Sequence, residues 1–185
     1  HTMKELAGHL TAWLIYHVAD ADQKIVSGDK GGNAEKHFDM CVELFSDSAM
    51  DVMEKMAGFS REKIIHKTVV NHRIKGDIFI GIEIIGDLKG RAVFAFSKEL
   101  SLNLIRILTS MELEEADEMV RSALCEITNI SCGKASIELA EKGVNCDIKT
   151  PVILDNSLSE TEINGMFIDT GSGGLEVMVF VDEMA

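Results

Sequence analysis

A single proline interrupts this sequence, aromatic side chains make up only 5% of it, and basic residues are outnumbered by acidic ones, 18 against 31. The scarcity of proline argues for regular elements joined by few irregular loops. The net charge of −13 sets the surface against phosphate backbones and anionic lipid, so neither nucleic acid nor a membrane surface is an expected partner. No apolar run approaches the ~20 residues that span a bilayer; the nearest, Ala12 to Ala19, is broken by His17. The start lacks a basic segment followed by an apolar core and a small-residue cleavage site. The four cysteines, Cys41, Cys125, Cys132 and Cys146, form no Cys-x-x-Cys pair. A reduced, cytoplasmic protein is the expectation.

What is present is globular. Hydrophobic residues account for 46% of the 185 and charged residues for 26%, enough apolar material for a real core. The length fits one domain with an appended segment. Residues 4–20 read as an amphipathic helix through Leu6, Leu10, Trp13, Leu14 and Val18. The turn-rich stretch Ser27-Gly-Asp-Lys-Gly-Gly-Asn33 reads as a linker. The domains are therefore expected at 1–34, a helix and linker of unknown role, and at 35–185.

The larger part mixes helices and strands. Helical spacing over 38–57 places Phe38, Cys41, Val42, Phe45, Ala49, Val52, Met53 and Met56 on one face, with Gly58 as a stop. A strand is predicted over 63–71. Ile78–Ile85 and Arg91–Phe96 are predicted to pair as a hairpin across Gly86-Asp-Leu-Lys-Gly90. A helix follows at 98–109, with Ser97 as its N-cap and Glu99 close by. The longest helical pattern runs from about Glu114 to Lys142. A strand passes through Val144 to Leu154 around Pro151, which must sit at a strand end or edge. Two last strands, Gly165–Thr170 and Leu175–Val181, join across Gly171-Ser-Gly-Gly174. Sequential hairpins favour antiparallel pairing, so the fold class is α/β of the α+β kind: a mostly antiparallel sheet packed against long helices.

Several motifs tempt a reading and fail it. Gly171-Ser-Gly-Gly174 lacks the Lys-Ser/Thr of a phosphate loop and precedes a strand, so it reads as a hairpin turn. His9 and His17 are two helical turns apart, and His66 and His72 have no clustered ligands, so no metal site is expected. Cys125 and Cys132 lie seven apart on one helix, a core-like spacing. The ten methionines are scattered and read as core filler.

The informative stretch is Ser122-Ala-Leu-Cys-Glu126-Ile-Thr-Asn129-Ile-Ser-Cys-Gly133. At ~100° per residue, Ser122, Glu126, Asn129 and Gly133 fall within about 60° of one another. Val120, Ala123, Leu124, Ile127 and Ile130 are expected to form the burying arc. One face then presents a hydroxyl, a carboxylate and a carboxamide in a row, and Gly133 would let another backbone approach one turn beyond Asn129. Polar residues on an exposed helix face are also ordinary, and spacing alone does not decide between the two readings.

The run Ser-x-x-x-Glu-x-x-Asn resembles the signature of the CheC/CheX/FliY chemotaxis phosphatases, which ends in a proline roughly two dozen residues later; Pro151 stands near that place, about one residue short. Phe45-Ser-Asp-Ser-Ala-Met-Asp-Val-Met-Glu-Lys-Met-Ala-Gly58 resembles the opening helix of CheX proteins. Gly81-Ile-Glu-Ile-Ile-Gly-Asp-Leu-Lys-Gly90-Arg-Ala-Val-Phe-Ala-Phe96 resembles their central hairpin. The likeness covers about residues 38–183. CheC proteins carry the Glu-x-x-Asn motif twice, whereas the earlier helix here offers Asp47-x-x-x-Asp51-x-x-Glu54, without asparagine. A single motif is the CheX pattern.

The resemblance implies a phosphatase for the aspartyl phosphate of a CheY-like response regulator. It assigns the catalytic pair to Glu126 and Asn129, and partner contacts to Ser122 and Gly133. It implies no cofactor of the chain's own, with Mg²⁺ carried by the receiver, and a homodimer. A rival reading is a non-catalytic CheX-like module that binds or scaffolds the receiver with the same face. A third, an unrelated ligand-binding domain, rests only on the ordinariness of polar residues on a helix.

Overall fold

The computed structural model describes residues 31–155, 158 and 162–184. The helix expected at 4–20, His9, His17 and the greater part of the linker lie outside them. The first helix, α1 (Gly31–Ala57), starts within the stretch read as linker, so Gly31-Gly32-Asn33 are helical. Extending a helix that is already nucleated costs little per residue, which lets it run back through these positions. Its end is as expected: Gly58 adopts φ +67 and its N–H donates to Glu54 O at 2.9 Å. Cys41, Val42, Phe45, Ala49, Val52 and Met53 are buried. Met56 is not; it is 40% exposed, the buried arc having turned toward Met50 and Ala57.

After a short 3-10 turn at Arg61–Lys63, three strands follow: β1 (Ile65–Arg73), β2 (Ile78–Gly86) and β3 (Leu88–Phe96). The β2–β3 turn is tighter than the sequence suggests, because Leu88, Lys89 and Gly90 belong to β3. Gly86 makes this possible at φ +116, and the turn is pinned by Asp87 N–H donating to Asn145 O at 2.9 Å. Then come α2 (Lys98–Thr109) and α3 (Glu118–Glu141). The strand expected across 144–154 is two pieces, β4 (Cys146–Ile148) and β5 (Val152–Leu154), and the chain closes with β6 (Glu162–Asp169) and β7 (Gly174–Met184). The glycine-rich run between these last two is a hairpin turn, and β6 pairs β7 antiparallel.

The strands form one seven-stranded sheet in the order β1-β6-β7-β3-β2-β4, with β5 also pairing β2. Every pairing is antiparallel. Alternation along the strands separates two cores. Ile78, Ile80, Ile82 and Ile84 of β2, Phe94 and Phe96 of β3 and Val177 and Val179 of β7 join the three helices in the main core. Phe79, Val93, Ala95 and Met178 point the other way, into a smaller cluster with Ile74, Leu154 and Leu158. On that second side Glu176 is 1% exposed. Its Oε1 lies 3.1 Å from His72 Nε2 and accepts from Lys75 N–H at 3.2 Å. His66 is exposed.

Candidate functional site

The helix α3 is the frame of the site. Asp117 caps it, Oδ1 accepting from Val120 N–H at 3.0 Å. Its buried residues are Val120, Leu124, Ile127, Thr128, Ser131, Cys132, Ala135 and Leu139. This arc is centred nearly opposite Glu126, and Ile130, expected within it, falls only about 40° from Glu126. Ile130 is accordingly 39% exposed, on the front of the helix. Ser122 and Glu126 are exposed there, and Asn129 and Gly133 are half-buried. Glu126 and Asn129 are one turn apart, about 4.5 Å along the axis. None of Ser122, Glu126 and Asn129 makes a side-chain hydrogen bond or ion pair with the described residues. The pair projects together, as its spacing predicts.

An open groove of about 340 Å³ runs along this face, lined by Ser122, Cys125, Glu126 and Asn129 on one side and Ile148, Lys149, Thr150 and Pro151 on the other. The second wall is a β-bulge. Ile84 pairs Ile148 and Gly81 pairs Val152, so the three-residue step along β2 is matched by a four-residue step across it. Pro151 accounts for the break, since it cannot donate to a ladder and holds Thr150 in extended backbone. Bulges re-aim side chains, and this one turns the segment toward α3. Lys149 stays anchored, its N–H donating to Glu83 O at 2.9 Å and its Nζ to Glu83 Oε1 at 2.7 Å.

Outside its own helix, Gly133 has no backbone neighbour among the described residues that an added Cβ would meet within 4 Å. A Cβ added there would meet only Ile148 Cδ1, at 3.9 Å, an ordinary contact. Cys132 is buried as its spacing predicts, but Cys125 is half-buried and borders the groove. Burial raises both thiols, Cys132 the further. No group of three or more His, Cys, Asp and Glu side chains among the described residues is placed to hold a metal. The arrangement offers an acceptor carboxylate and a two-way carboxamide on an open face, suited to another molecule's polar groups.

The description "Chemotaxis phosphatase CheX" matches residues 78–168, which span β2 to most of β6. A relative named CheY-P phosphatase CheX, from Thermotoga maritima, is 26% identical over 143 residues, covering 77% of this chain and 89% of the relative. Over these spans the chain is similar to CheX chemotaxis phosphatases. Chemotaxis protein CheX from Vibrio vulnificus superposes with a TM-score of 0.68 at 23% identity, over 77% of this chain and 99% of that one. The CheX in the CheX–CheY–BeF3–Mg²⁺ complex from Borrelia burgdorferi gives 0.64 at 25%, over 77% and 97%.

In this CheX-like chain two carboxylates of the earlier helix are paired. Asp51 of α1 accepts from Lys134 and from Lys55, the latter at 2.8 Å, and Asp47 accepts from Arg61 at 2.9 Å. These carboxylates are occupied within the fold, whereas Glu126 has no side-chain partner among the described residues. Sequence reading missed Lys149, Thr150 and Cys125 as neighbours of the pair. Pro151, read as a strand end or edge and as the end of a signature, was the available signal for the opposite wall.

Proposed function

We propose that this protein hydrolyses the aspartyl phosphate of a CheY-like response regulator, with Glu126 and Asn129 as the catalytic pair. One observation carries the reading: a carboxylate and a carboxamide, free of partners among the described residues, share the open face of α3 over a groove. The activity in the Thermotoga relative's name and the CheY partner in the Borrelia complex support the choice of substrate.

An acyl phosphate is already activated, so the phosphatase has only to place a water in line and hold the partner still. The water's oxygen bonds to phosphorus, the bond to the aspartyl oxygen breaks, and inorganic phosphate leaves with the carboxylate restored. Asn129 orients that water through its amide without adding negative charge beside the phosphoryl group. Glu126 pairs with a lysine on the receiver and anchors the complex. Ser122 contacts the receiver at the N-terminal end of the groove, and Gly133, one turn beyond Asn129 and with only Ile148 Cδ1 near an added Cβ among the described residues, leaves room for the receiver past the other. The Mg²⁺ is the receiver's own.

The domain with this activity is taken as residues 35–185, working in the cytoplasm; no described helix is long and apolar enough to cross a membrane. The homodimer expected from the resemblance has an open edge in β1, where Ile65 and Val70 are 67% and 64% exposed. The test is turnover. Phosphate release from a phosphorylated receiver should accelerate at substoichiometric amounts of this protein, whereas tight binding without acceleration would favour a scaffold.

A further inference from the structure

Of the eight side chains that line the groove, Lys149 is the one cation. The rest of the site is poorly suited to anions: the chain carries a net −13, and Glu126 adds its own charge to the groove. A phosphorylated aspartate is a concentrated anion. We propose that Lys149 is the anion-binding arm of this site, leaving Glu83 when the receiver docks and pairing with anionic oxygens of the receiver's phosphorylated pocket. This rests on the phosphatase reading.

Three features equip Lys149 for that exchange. Its pair with Glu83 is exposed, the two side chains being 54% and 44% accessible, and such pairs are held weakly in water. Departure does not leave Glu83 stranded, because Arg91 sits directly across the β2–β3 ladder from it. The backbone stays put, since the Lys149 N–H remains bonded to Glu83 O within the bulge. The ammonium thus swings on a fixed base. A charge-assisted bond to phosphoryl or carboxylate oxygen is the stronger of its two options once the groove is covered and water excluded.

The experiment measures binding of a CheY-like receiver loaded with BeF3⁻ and Mg²⁺ by calorimetry at low and high salt, alongside turnover of the phosphorylated receiver. Lys149→Met should weaken binding and raise KM about tenfold at low salt, flatten the salt dependence, and change kcat much less. Lys149→Arg should restore most of the affinity. Glu83→Gln separates this from a merely structural ion pair: it frees the lysine, so affinity should hold or improve, whereas a structural pair predicts losses like those of Lys149→Met. Affinity within twofold of wild type for Lys149→Met, or an equal loss in Glu83→Gln, overturns the inference while wild-type turnover stands. A wild-type protein that neither binds nor accelerates overturns the phosphatase reading and this inference together.

Discussion

Asp51 on α1 and Lys134 on α3 meet across the helix pair, the Lys134 Nζ donating to Asp51 Oδ2 at 2.5 Å. Lys134 follows Gly133 directly, so the clamp grips α3 more than one turn beyond Asn129. Lys134 also pairs with Glu138 at 3.3 Å, and Arg61 reaches Asp51 at 3.9 Å. The contact ties α1 to the helix that carries Glu126 and Asn129.

The clamp has a pH signature. Hydrogen bonds from Lys134 first, then Lys55, lower the Asp51 carboxyl from 3.8 to about 2. A depressed carboxylate contributes stability that is full above its unfolded value and lost as pH falls from about 4 through about 2. With Lys55 70% exposed, solvent screening leaves about 1 kcal/mol at neutral pH. Asp51→Asn should lose that amount in urea denaturation at pH 7 and little near pH 2. Its turnover should stay near wild type, and a collapse of turnover in a folded variant would move α1 into the reactive site.

Asn129 and Glu126 should separate on mutation. Asn129→Ala removes the group that orients water but leaves the anchor, so phosphate release should fall about 100-fold or more while receiver affinity persists. Glu126→Ala removes the anchor and should weaken both. Single-turnover phosphate release with calorimetric affinity distinguishes the two patterns; an Asn129→Ala protein of undiminished activity would count decisively against the assignment.

Local chemistry was legible in the sequence and tertiary packing was not. The bounds of α2, its Ser97 cap, the Gly58 stop and the shared face of Glu126 and Asn129 all follow from short-range spacing, and the structure has them there. Ile130 was misplaced because hydrophobicity alone cannot say where along the arc a helix meets its neighbours; α3 turns toward Thr128 and Ser131, two polar residues, and leaves the isoleucine outside. The split of β4 from β5 depends on register against β2, more than sixty residues earlier. Lys149 becomes part of the site only through that register.

The thiols should report on the groove. Burial, with the Cys146 charge adding, pushes the Cys41 thiol up to about 11, and burial alone drives Cys132 up. Cys125 is raised by burial and then Glu118, and Cys146 by burial and then Asp147, yet both are half-buried. A maleimide should therefore label Cys125 and Cys146 before Cys41 and Cys132, faster as pH rises toward their titration because the thiolate reacts. Cys125 lines the groove. A bulky label there should block the receiver, and bound receiver should protect it, as peptide mass mapping would read. Equal labelling of Cys125 with and without bound receiver would place docking elsewhere.

Ser97 joins two elements at one oxygen. Its Oγ accepts from Leu100 N–H at 3.2 Å, capping α2, and from Gly174 N–H at 3.1 Å, where β7 begins. Gly173, at φ +114, sits so close that a Cβ there would lie 2.6 Å from that same Oγ. Ser97→Ala removes the cap and also strips a donor's partner at the strand start, so the cost should exceed a simple cap loss and reach about 2 kcal/mol in urea denaturation. Ser97→Thr keeps the oxygen and should recover most of that loss. Neither α2 nor the start of β7 lines the groove, so turnover of the folded Ser97→Ala protein should match wild type. A loss under 0.5 kcal/mol, roughly the floor for cap removal, would mean that Gly174 finds another acceptor and the junction is not held by this hydroxyl.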